Sequence, residues 1–255
     1  MRKAIIGGTG VYDTPGMSRT ETVETKYGPV DVDIVTWEGQ EIVFLARHGK
    51  GHSVPPHLIN YRANMMALKQ LEVSHIYATC AVGSCNKNYA PGDTVVMNNF
   101  LDFTKVRPVT FFDGEDGVKH TDMSDPYCKN LRALYKETAA GEGFPVKGEA
   151  VYVCTEGPRF ESAAEIRMYE QMGGDVVGMT NVPEVVLAKE LEICYSAVGI
   201  ITNWCTGFVS DEIVVHDIMA TMAKSKDAMT EVFLKILSSG PGRDACSCDS
   251  AVMDM

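Results

Sequence analysis

The chain has 255 residues, 45% of them hydrophobic and 22% charged, which is enough apolar material for a full core and is typical of a globular protein. Its formal net charge is -11 and it has no Lys/Arg-rich run, so nucleic acid and anionic membranes are disfavoured as partners because their phosphates would be repelled. No apolar run approaches the ~18 residues of a membrane span, and the start MRKAIIGGTG is too poor in apolar residues for a signal peptide, so we expect a cytoplasmic protein.

Apolar, β-branched segments bounded by Gly, Asp or Asn predict β-strands. In chain order they are residues 3–8, 41–46, 75–83, 93–101, 149–157, 174–180 and 194–203. Segments with helical periodicity lie between or after them, at residues 56–71, 128–143, 162–173, 181–191 and 216–239. The alternation predicts an α/β fold with a mixed central β-sheet flanked by helices. We expect a single domain over residues 1–240, followed by a C-terminal tail over residues 241–255.

The first predicted strand ends in the sequence GGTG, residues 7–10. Glycines at this point allow the backbone to approach an anion closely, and Thr9 adds a hydroxyl donor. The segment is therefore a candidate phosphate loop. A dinucleotide-binding fingerprint is disfavoured, because Asp13 stands where the third glycine of that motif belongs.

Later strand ends also carry groups suited to anions. Arg47 and His48 follow the second predicted strand, and the planar fork of arginine matches phosphate. Cys80 and Ala81 lie in the small-residue segment TCAVGS, while Thr180 precedes a helix whose N-terminus favours anions. Because ligands of α/β sheets bind outside the carboxyl ends of strands, these groups predict one shared phosphate site. The alternative for Arg47 and His48 is an ordinary surface pair.

Two other segments suggest recognition of a heterocycle. Phe160 lies next to Glu161, so a ring that can stack stands beside a carboxylate that can accept from a ring N–H. The alternative for Glu161 is an ordinary acidic residue in the first turn of a helix. The apolar strand 194–203 ends at Asn203, an amide that can both donate and accept.

The cysteines show no CxxC spacing, so neither a structural zinc site nor a small disulfide framework is expected. Most are predicted to be buried thiols. Cys246 and Cys248 fall in the tail, which looks exposed. They form either a strained, easily reduced disulfide or two free thiols in a frayed segment.

The segments GGTG, ARHG, NYRAN, EGPRFES, GMTNVPEVVLAKE and CYSAVGIITN occur with the order and spacing seen in methylthioadenosine phosphorylases, which the chain resembles up to about Ser239. That family belongs with the trimeric purine nucleoside phosphorylases, which share a single-domain α/β fold and split nucleosides with inorganic phosphate. The resemblance implies phosphate contacts from Thr9, Arg47, His48, Cys80, Ala81 and Thr180. It also places Met179 against the ribose, and Trp204 and Cys205 beside Asn203 at the base.

The chain departs from the family's pattern where the substrate is read. The family has aspartates at the positions of Asn203 and Cys205, and its adenine-selective members have serine at Glu161. An amide donates to a 6-oxo group and N7 without protonation, and a carboxylate accepts from the N1–H that hypoxanthine and guanine possess. His216 replaces a usual valine, and phosphorylases acting on inosine and guanosine use histidine there to bond the ribose 5′-hydroxyl. The alternative for His216 is that it merely opens the last helix.

We therefore expect a purine nucleoside phosphorylase acting on inosine and guanosine in purine salvage, with Asn203, His48 and Arg47 as catalytic groups. Inorganic phosphate is the co-substrate, and no metal or organic cofactor is implied. Alternatives are phosphorolysis of methylthioinosine or methylthioadenosine, and a nucleoside-binding protein without turnover, which would not need the phosphate donors. The resemblance also implies a homotrimer, or a hexamer of two trimers, in which His120 closes a neighbour's pocket. Otherwise His120 is a surface loop residue.

Overall fold

The computed structural model describes residues 1–8, 18–51, 53–115, 117–209, 215–243 and 246–255, with the backbone alone at 215–219 and 224. The strands are β1 (Arg2–Gly7), β2 (Ser18–Thr25), β3 (Gly28–Trp37), β4 (Gln40–Ala46), β5 (Val73–Ser84), β6 (Thr94–Phe103), β7 (Lys119–Thr121), β8 (Gly148–Thr155), β9 (Val176–Gly178), β10 (Cys194–Trp204) and β11 (Val252–Asp254). The α-helices are α1 (Tyr61–Gln70), α2 (Lys129–Gly141), α3 (Ala163–Gln171), α4 (Asn181–Glu190) and α5 (Val215–Ser238).

One mixed sheet contains every strand named above except β7 and β11, in the order β10-β6-β8-β9-β5-β1-β4-β3-β2. Since β10 also pairs with β5, the strands β5, β10, β6, β8 and β9 close into a ring. The other four strands extend from the outer edge of β5. In this arrangement β1 runs parallel to both β4 and β5, whereas β2, β3 and β4 are antiparallel.

The strand β5 changes partners halfway along one edge. It pairs with β1 as far as Ala78 and with β9 from Gly83, while β10 pairs along its other edge from His75 to Ser84. In the described part of the chain, residues 79–82 thus have no strand partner on the β1 side. The opening lies at the carboxyl end of β1, where ligands of open α/β sheets bind.

Helices cover both faces of the sheet. Side chains of α1 and α4 share one buried cluster with the strands, and side chains of α2 and α5 share another on the opposite face. Each face therefore supplies an apolar layer that excludes water from the strands. Among the described helices, none is long and apolar enough to cross a membrane.

The predicted α/β fold is confirmed, and each predicted strand and helix has a counterpart that differs mainly at its ends. The hairpin of β2 and β3 was not predicted. Seven of the eight residues in β2 are Ser, Thr, Glu or Arg on a mostly exposed edge strand, and Val23 alone in it is buried. A strand with so little apolar alternation gives no clear signal in sequence.

The C-terminal tail is packed, which corrects the expectation of a frayed segment. Residues of β11 pair antiparallel with β7, with Met253 opposite His120. Cys248 and Ala251 are buried. Both tail cysteines are free thiols, so the structure contains no disulfide between Cys246 and Cys248. The tail thus belongs to the folded body.

Candidate active site

A cavity of about 240 Å³ lies at the opening beside β5. Segments that follow β1, β4, β8, β9 and β10 form its wall. The wall contains these predicted site residues: Arg47, His48, Cys80, Ala81, Phe160, Glu161, Met179, Thr180, Asn203 and Cys205. The folding of the chain therefore brings the predicted phosphate-binding and base-reading groups into one cavity.

Arg47 is held in the wall by a buried ion pair with Glu184. Its Nε lies 2.6 Å from Glu184 Oε2, its Nη2 lies 2.7 Å from Oε1, and its Nη1 donates to the Thr79 carbonyl at 2.8 Å. Burial alone would lower the pKa of Arg47, but the Glu184 carboxylate outweighs it and holds that pKa well above its ordinary value. Arg47 is therefore a permanent positive charge.

The ion pair with Glu184 limits which N–H groups of Arg47 can bind a phosphate. Sequence reasoning assigned the planar fork to the anion, yet the face formed by Nε and Nη2 is occupied by Glu184. Of the five N–H groups of a guanidinium, three are used by Glu184 and Thr79, which leaves one on each Nη nitrogen. These two remain available for a bound anion.

Gly8 packs closely against Thr79 and Arg47. Its backbone N–H donates to Thr79 Oγ1 at 2.7 Å. A Cβ at Gly8 would lie 2.5 Å from the Thr79 carbonyl oxygen and 2.9 Å from Arg47 Nη1, closer than real contacts allow. Glycine is therefore required because of this close approach. The next predicted phosphate contact, Thr9, falls outside the described residues.

His48 and Cys80 lie beside Arg47, and their surroundings fix a hydrogen on His48 Nδ1 and on the Cys80 sulfur. His48 Nδ1 lies 2.9 Å from the Val54 carbonyl, and because a carbonyl only accepts, that nitrogen carries a hydrogen. Burial raises the pKa of the Cys80 thiol to about 12, although the nearby Arg47 acts in the opposite direction. Cys80 is thus a neutral thiol at physiological pH and does not repel an anion.

Thr180 lines the cavity, but the helix after it differs from the expected anion-binding N-terminus. Its backbone N–H donates to the Tyr152 hydroxyl at 3.1 Å. Val182 has φ -109 and ψ 128, which is non-helical, and Pro183 has no N–H. The first turn of α4 therefore offers no regular set of N–H groups, and any anion contact here must come from Thr180 itself.

Asn203 has a fixed amide orientation. Its Nδ2 donates to the Trp204 carbonyl at 2.8 Å, and its Oδ1 accepts from Thr202 Oγ1 at 2.8 Å. Since a carbonyl cannot donate, the NH₂ must face Trp204. One N–H of Nδ2 and one lone pair of Oδ1 remain for a ligand. The two simultaneous donations predicted from sequence would require Nδ2 to release Trp204 or to share a hydrogen.

Glu161 is buried at the same cavity. Its Oε1 accepts from Thr155 Oγ1 at 2.6 Å. Burial raises the pKa of Glu161 above its ordinary value, partly offset by the bond from Thr155. The position is therefore more than an ordinary first-turn carboxylate of α3. It is a desolvated acceptor, and desolvated groups with shifted pKa values are enriched at functional sites.

Phe160 and Met179 flank Glu161 with apolar groups. Phe160 is 48% exposed at the rim of the cavity. Met179 lies against Gly157, where a Cβ would approach its sulfur to 2.6 Å. Gly157 has φ 65, a conformation that favours glycine, so the turn and the methionine fit each other.

Cys205, Trp204 and Thr206 complete the end of β10. The neighbouring Cys85 thiol and burial together hold the pKa of Cys205 well above its ordinary value, so it is a neutral group at the position of a family aspartate. Trp204 does not line the cavity and instead packs on Phe208 at 5.9 Å between ring centroids. Thr206 does line it, and its buried hydroxyl has no hydrogen-bond partner among the described groups.

Arg107 is a site-supporting residue that sequence reasoning missed. Its Nη1 donates to the carbonyls of Met179 and Val182 at 2.7 and 2.8 Å, and its Nη2 donates to those of Thr155 and Glu156 at 3.2 and 2.7 Å. Its Nε lies 3.3 Å from Glu156 Oε1. One side chain thus ties the end of β8 to the segment after β9. Its loop sequence, KVRPV, contains no recognised motif.

Glu184 was also missed, although a signal existed. It is the only charged residue in the stretch NVPEVVLA of α4, and it is buried. A charge on an otherwise apolar helix indicates a buried partner. What sequence could not give was the identity of that partner, Arg47, which lies 137 residues away.

The resemblance to known phosphorylases also predicts roles for His120 and His216 at the sugar. His120 is exposed on β7 and is not among the residues that line this cavity. The side chain of His216, on the first turn of α5, lies outside the described residues. Neither prediction is tested by the geometry of one chain.

Comparison with known proteins agrees with this architecture. Residues 2–238 match the phosphorylase superfamily, and the chain belongs to that family. It is 48% identical to a probable 6-oxopurine nucleoside phosphorylase of Moorella thermoacetica, with 98% of both chains covered. It is 46% identical to the 6-oxopurine nucleoside phosphorylase of Pyrococcus furiosus, with 98% and 97% covered.

Two other similarities bear on the substrate. The chain is 45% identical to a probable S-methyl-5′-thioinosine phosphorylase of Methanopyrus kandleri, over 97% of this chain and 96% of the other. A crystal structure of a methylthioadenosine phosphorylase from an antarctic soil metagenomic library superposes with a TM-score of 0.89 at 33% identity, covering 98% of this chain and 90% of that one. The family predicted from the sequence motifs is confirmed.

Proposed function

We propose that this enzyme catalyses reversible phosphorolysis of the 6-oxopurine nucleosides inosine and guanosine to the free base and ribose 1-phosphate. The observation that carries the proposal is the presence of Asn203 and Glu161 in the same cavity as Arg47. An amide and a carboxylate fit the O6 or N7 and the N1–H of a 6-oxopurine. The names of relatives at 46 to 48% identity agree with this substrate class.

The proposed phosphate and base positions lie at two points along the strand β5, and the distance between them sets the length of the site. Arg47 contacts the carbonyl of Thr79, whereas Asn203 Nδ2 lies 3.2 Å from the place where a Cβ of Gly83 would be. Four residue steps along a strand span about 13 Å. That length suits a phosphate, a ribose and a purine placed in line. Phosphate would bind near Thr79 and the base near Gly83.

Catalysis in this site would depend on position and charge. Cleavage of a glycosidic bond passes through an oxocarbenium-like transition state, in which the sugar becomes positive and the leaving base negative. Arg47 and His48 would hold the phosphate nucleophile under the sugar. The remaining N–H of Asn203 would stabilise charge at O6 or N7 of the leaving base, and Glu161 would hold its N1–H. Cys80, Ala81 and Thr180 would complete the phosphate contacts, with Met179 against the ribose and Phe160 over the base.

A panel of nucleosides assayed with and without phosphate tests the proposal. We expect phosphate-dependent release of base from inosine and guanosine, at a kcat/KM on the order of 10² or more above that for adenosine. Equal turnover of adenosine and inosine would contradict the roles of Asn203 and Glu161. A nucleoside affinity that is independent of phosphate, without turnover, would indicate a binding protein.

The alternative substrate is a 5′-methylthio nucleoside, because three relatives that each match 97% of this chain are named for methylthioinosine. Such a group offers no hydrogen bond to His216, whereas a 5′-hydroxyl does. Inosine and methylthioinosine belong in the same panel. If methylthioinosine is the better substrate, the 5′ assignment fails while the base assignment survives.

We also propose that the enzyme is a homotrimer in which His120 closes the sugar end of a neighbour's cavity. The exposure of His120 on β7, away from the wall of its own cavity, supports a role between subunits. Co-expression of the variants His120→Ala and Asn203→Ala tests it, since mixed trimers regain some sites with both native groups. A fully active monomer in sedimentation would contradict the proposal.

A further inference from the structure

A cluster of four thiols lies outside the cavity. Cys128 precedes α2, Cys194 begins β10, and Cys246 and Cys248 come from the C-terminal segment. Their four Sγ atoms all lie within 4.8 Å of one another, and the Sγ atoms of Cys194 and Cys246 are 3.6 Å apart. Cys246 is half-buried and the other three are buried.

The spacing of the sulfurs indicates coordination of a metal. Four thiolates placed tetrahedrally at about 2.3 Å from Zn²⁺ have sulfurs about 3.8 Å apart. Disulfide sulfurs lie at about 2.05 Å, and all four cysteines are free. A soft, tetrahedral ligand set of this kind selects Zn²⁺ among the common divalent cations. We propose that Cys128, Cys194, Cys246 and Cys248 bind one Zn²⁺ as a structural site.

The surroundings suit the charge of such a site. Four thiolates around Zn²⁺ carry a net charge of about -2, and buried charge needs neighbouring cations or donors. Lys189 is buried with its Nζ 4.0 Å from Cys248 Sγ. Arg243 lies beside Cys194, and its buried Nε has no hydrogen-bond partner among the described groups. Lys189 and Arg243 would therefore offset the negative charge of the four thiolates and the metal.

The site would fasten the C-terminal segment to the body of the fold. Four residues after Cys248, the chain enters β11, which pairs with β7. Because β7 carries His120, the metal would also hold the strand proposed to reach a neighbour's cavity. Only this last consequence depends on the proposed function.

Metal analysis of the full-length protein tests the proposal. Protein purified without chelator and without thiol reductant should contain one zinc per chain, with a zinc-edge X-ray absorption spectrum that fits four sulfurs at about 2.3 Å. The variants Cys246→Ser and Cys248→Ser should lose most of the zinc and melt at a lower temperature. Cys85→Ser, which removes a buried thiol outside the cluster, should retain one zinc.

Other outcomes overturn the proposal. Zinc-free protein with four titratable thiols out of eight after denaturation would indicate two disulfides instead. Eight titratable thiols and no zinc, even after incubation with zinc, would also refute it. These readouts do not depend on catalysis. Zinc binding without phosphorolysis would contradict the proposed function and support the metal site. Phosphorolysis without zinc binding would contradict the metal site and support the proposed function.

Discussion

The variant Glu184→Gln tests the buried ion pair beside the proposed phosphate site. Arg47 and Glu184 are 0% and 1% exposed at their side chains, and the carboxylate accepts from Arg47 twice and from Tyr195 at 2.7 Å. A glutamine keeps one acceptor but turns an NH₂ toward a guanidinium and leaves the arginine charge unpaired. Removing one partner of such a pair costs about 3 to 5 kcal/mol. For a chain of this length that corresponds to a melting temperature lower by about 10 °C.

Phosphate should recover part of this loss, because a bound anion supplies the charge that Glu184 no longer provides. We expect the difference in melting temperature between wild type and Glu184→Gln to narrow as phosphate rises from zero to saturation. The matched control is Glu190→Gln, a buried carboxylate on the same helix that accepts from Thr110 and the Phe111 N–H and pairs with no described cation. A difference that stays constant or widens with phosphate would refute the assignment of the Arg47 charge to the anion.

Four residues in or near the site, Arg107, Asn203, Glu161 and His216, give further predictions. Arg107→Met removes the arginine donors to four backbone carbonyls and should lower the free energy of unfolding by about 3 kcal/mol or more in urea titration. Arg107→Lys should recover little of that loss. Asn203→Asp sets a carboxylate against the Trp204 carbonyl and should reduce the inosine over adenosine ratio of kcat/KM by about tenfold. Because burial raises the pKa of Glu161, kcat/KM for inosine should fall with decreasing pH at a value above the ordinary 4.5, and Glu161→Gln should remove that limb. Because the pKa of Glu161 is higher in the folded than in the unfolded chain, its ionisation should lower the free energy of unfolding as pH rises from about 4.5 through the folded pKa. Urea unfolding midpoints measured as a function of pH would show this decrease. His216→Val should shift the inosine over methylthioinosine ratio toward the thioether by about 1 to 3 kcal/mol, measured as the change in relative kcat/KM.

Many residues of the cavity wall could be predicted from the sequence, because polar residues that directly follow an apolar strand segment are recognisable. Arg47 follows β4 and Asn203 lies near the end of β10, and both strands run in the same direction as β5, so their carboxyl ends reach one edge. The rule for strand ends thus predicts that groups from distant parts of the chain share one cavity. Thr180 follows β9, which runs antiparallel to β5, so this rule does not account for its place in the cavity. The sequence could not give the pairing of side chains within that cavity.

The missed features share a physical cause. Glu184 and Arg107 act through partners that lie far away along the chain, and the buried bonds depend on packing rather than on local pattern. The cysteines illustrate the same limit, because Cys194 and Cys246 are separated by 52 residues and show none of the spacing expected of metal ligands. The hairpin β2–β3 was missed for a different reason. Its exposed edge strand β2 has little apolar sequence, whereas the alternation of Val30, Val32 and Ile34 with polar residues in β3 was a usable signal.

The neutral thiols in the cavity wall bear on inhibitor chemistry. With a pKa of about 12, only about one Cys80 in 10⁵ is a thiolate at pH 7, and the thiolate is the form that attacks an electrophile. Cys205 is held above its ordinary pKa as well. Acrylamide or chloroacetyl warheads mounted on a purine would therefore alkylate neither sulfur at a useful rate. Tight inhibitors of this pocket must instead imitate the positive sugar and the negative phosphate and base of the transition state.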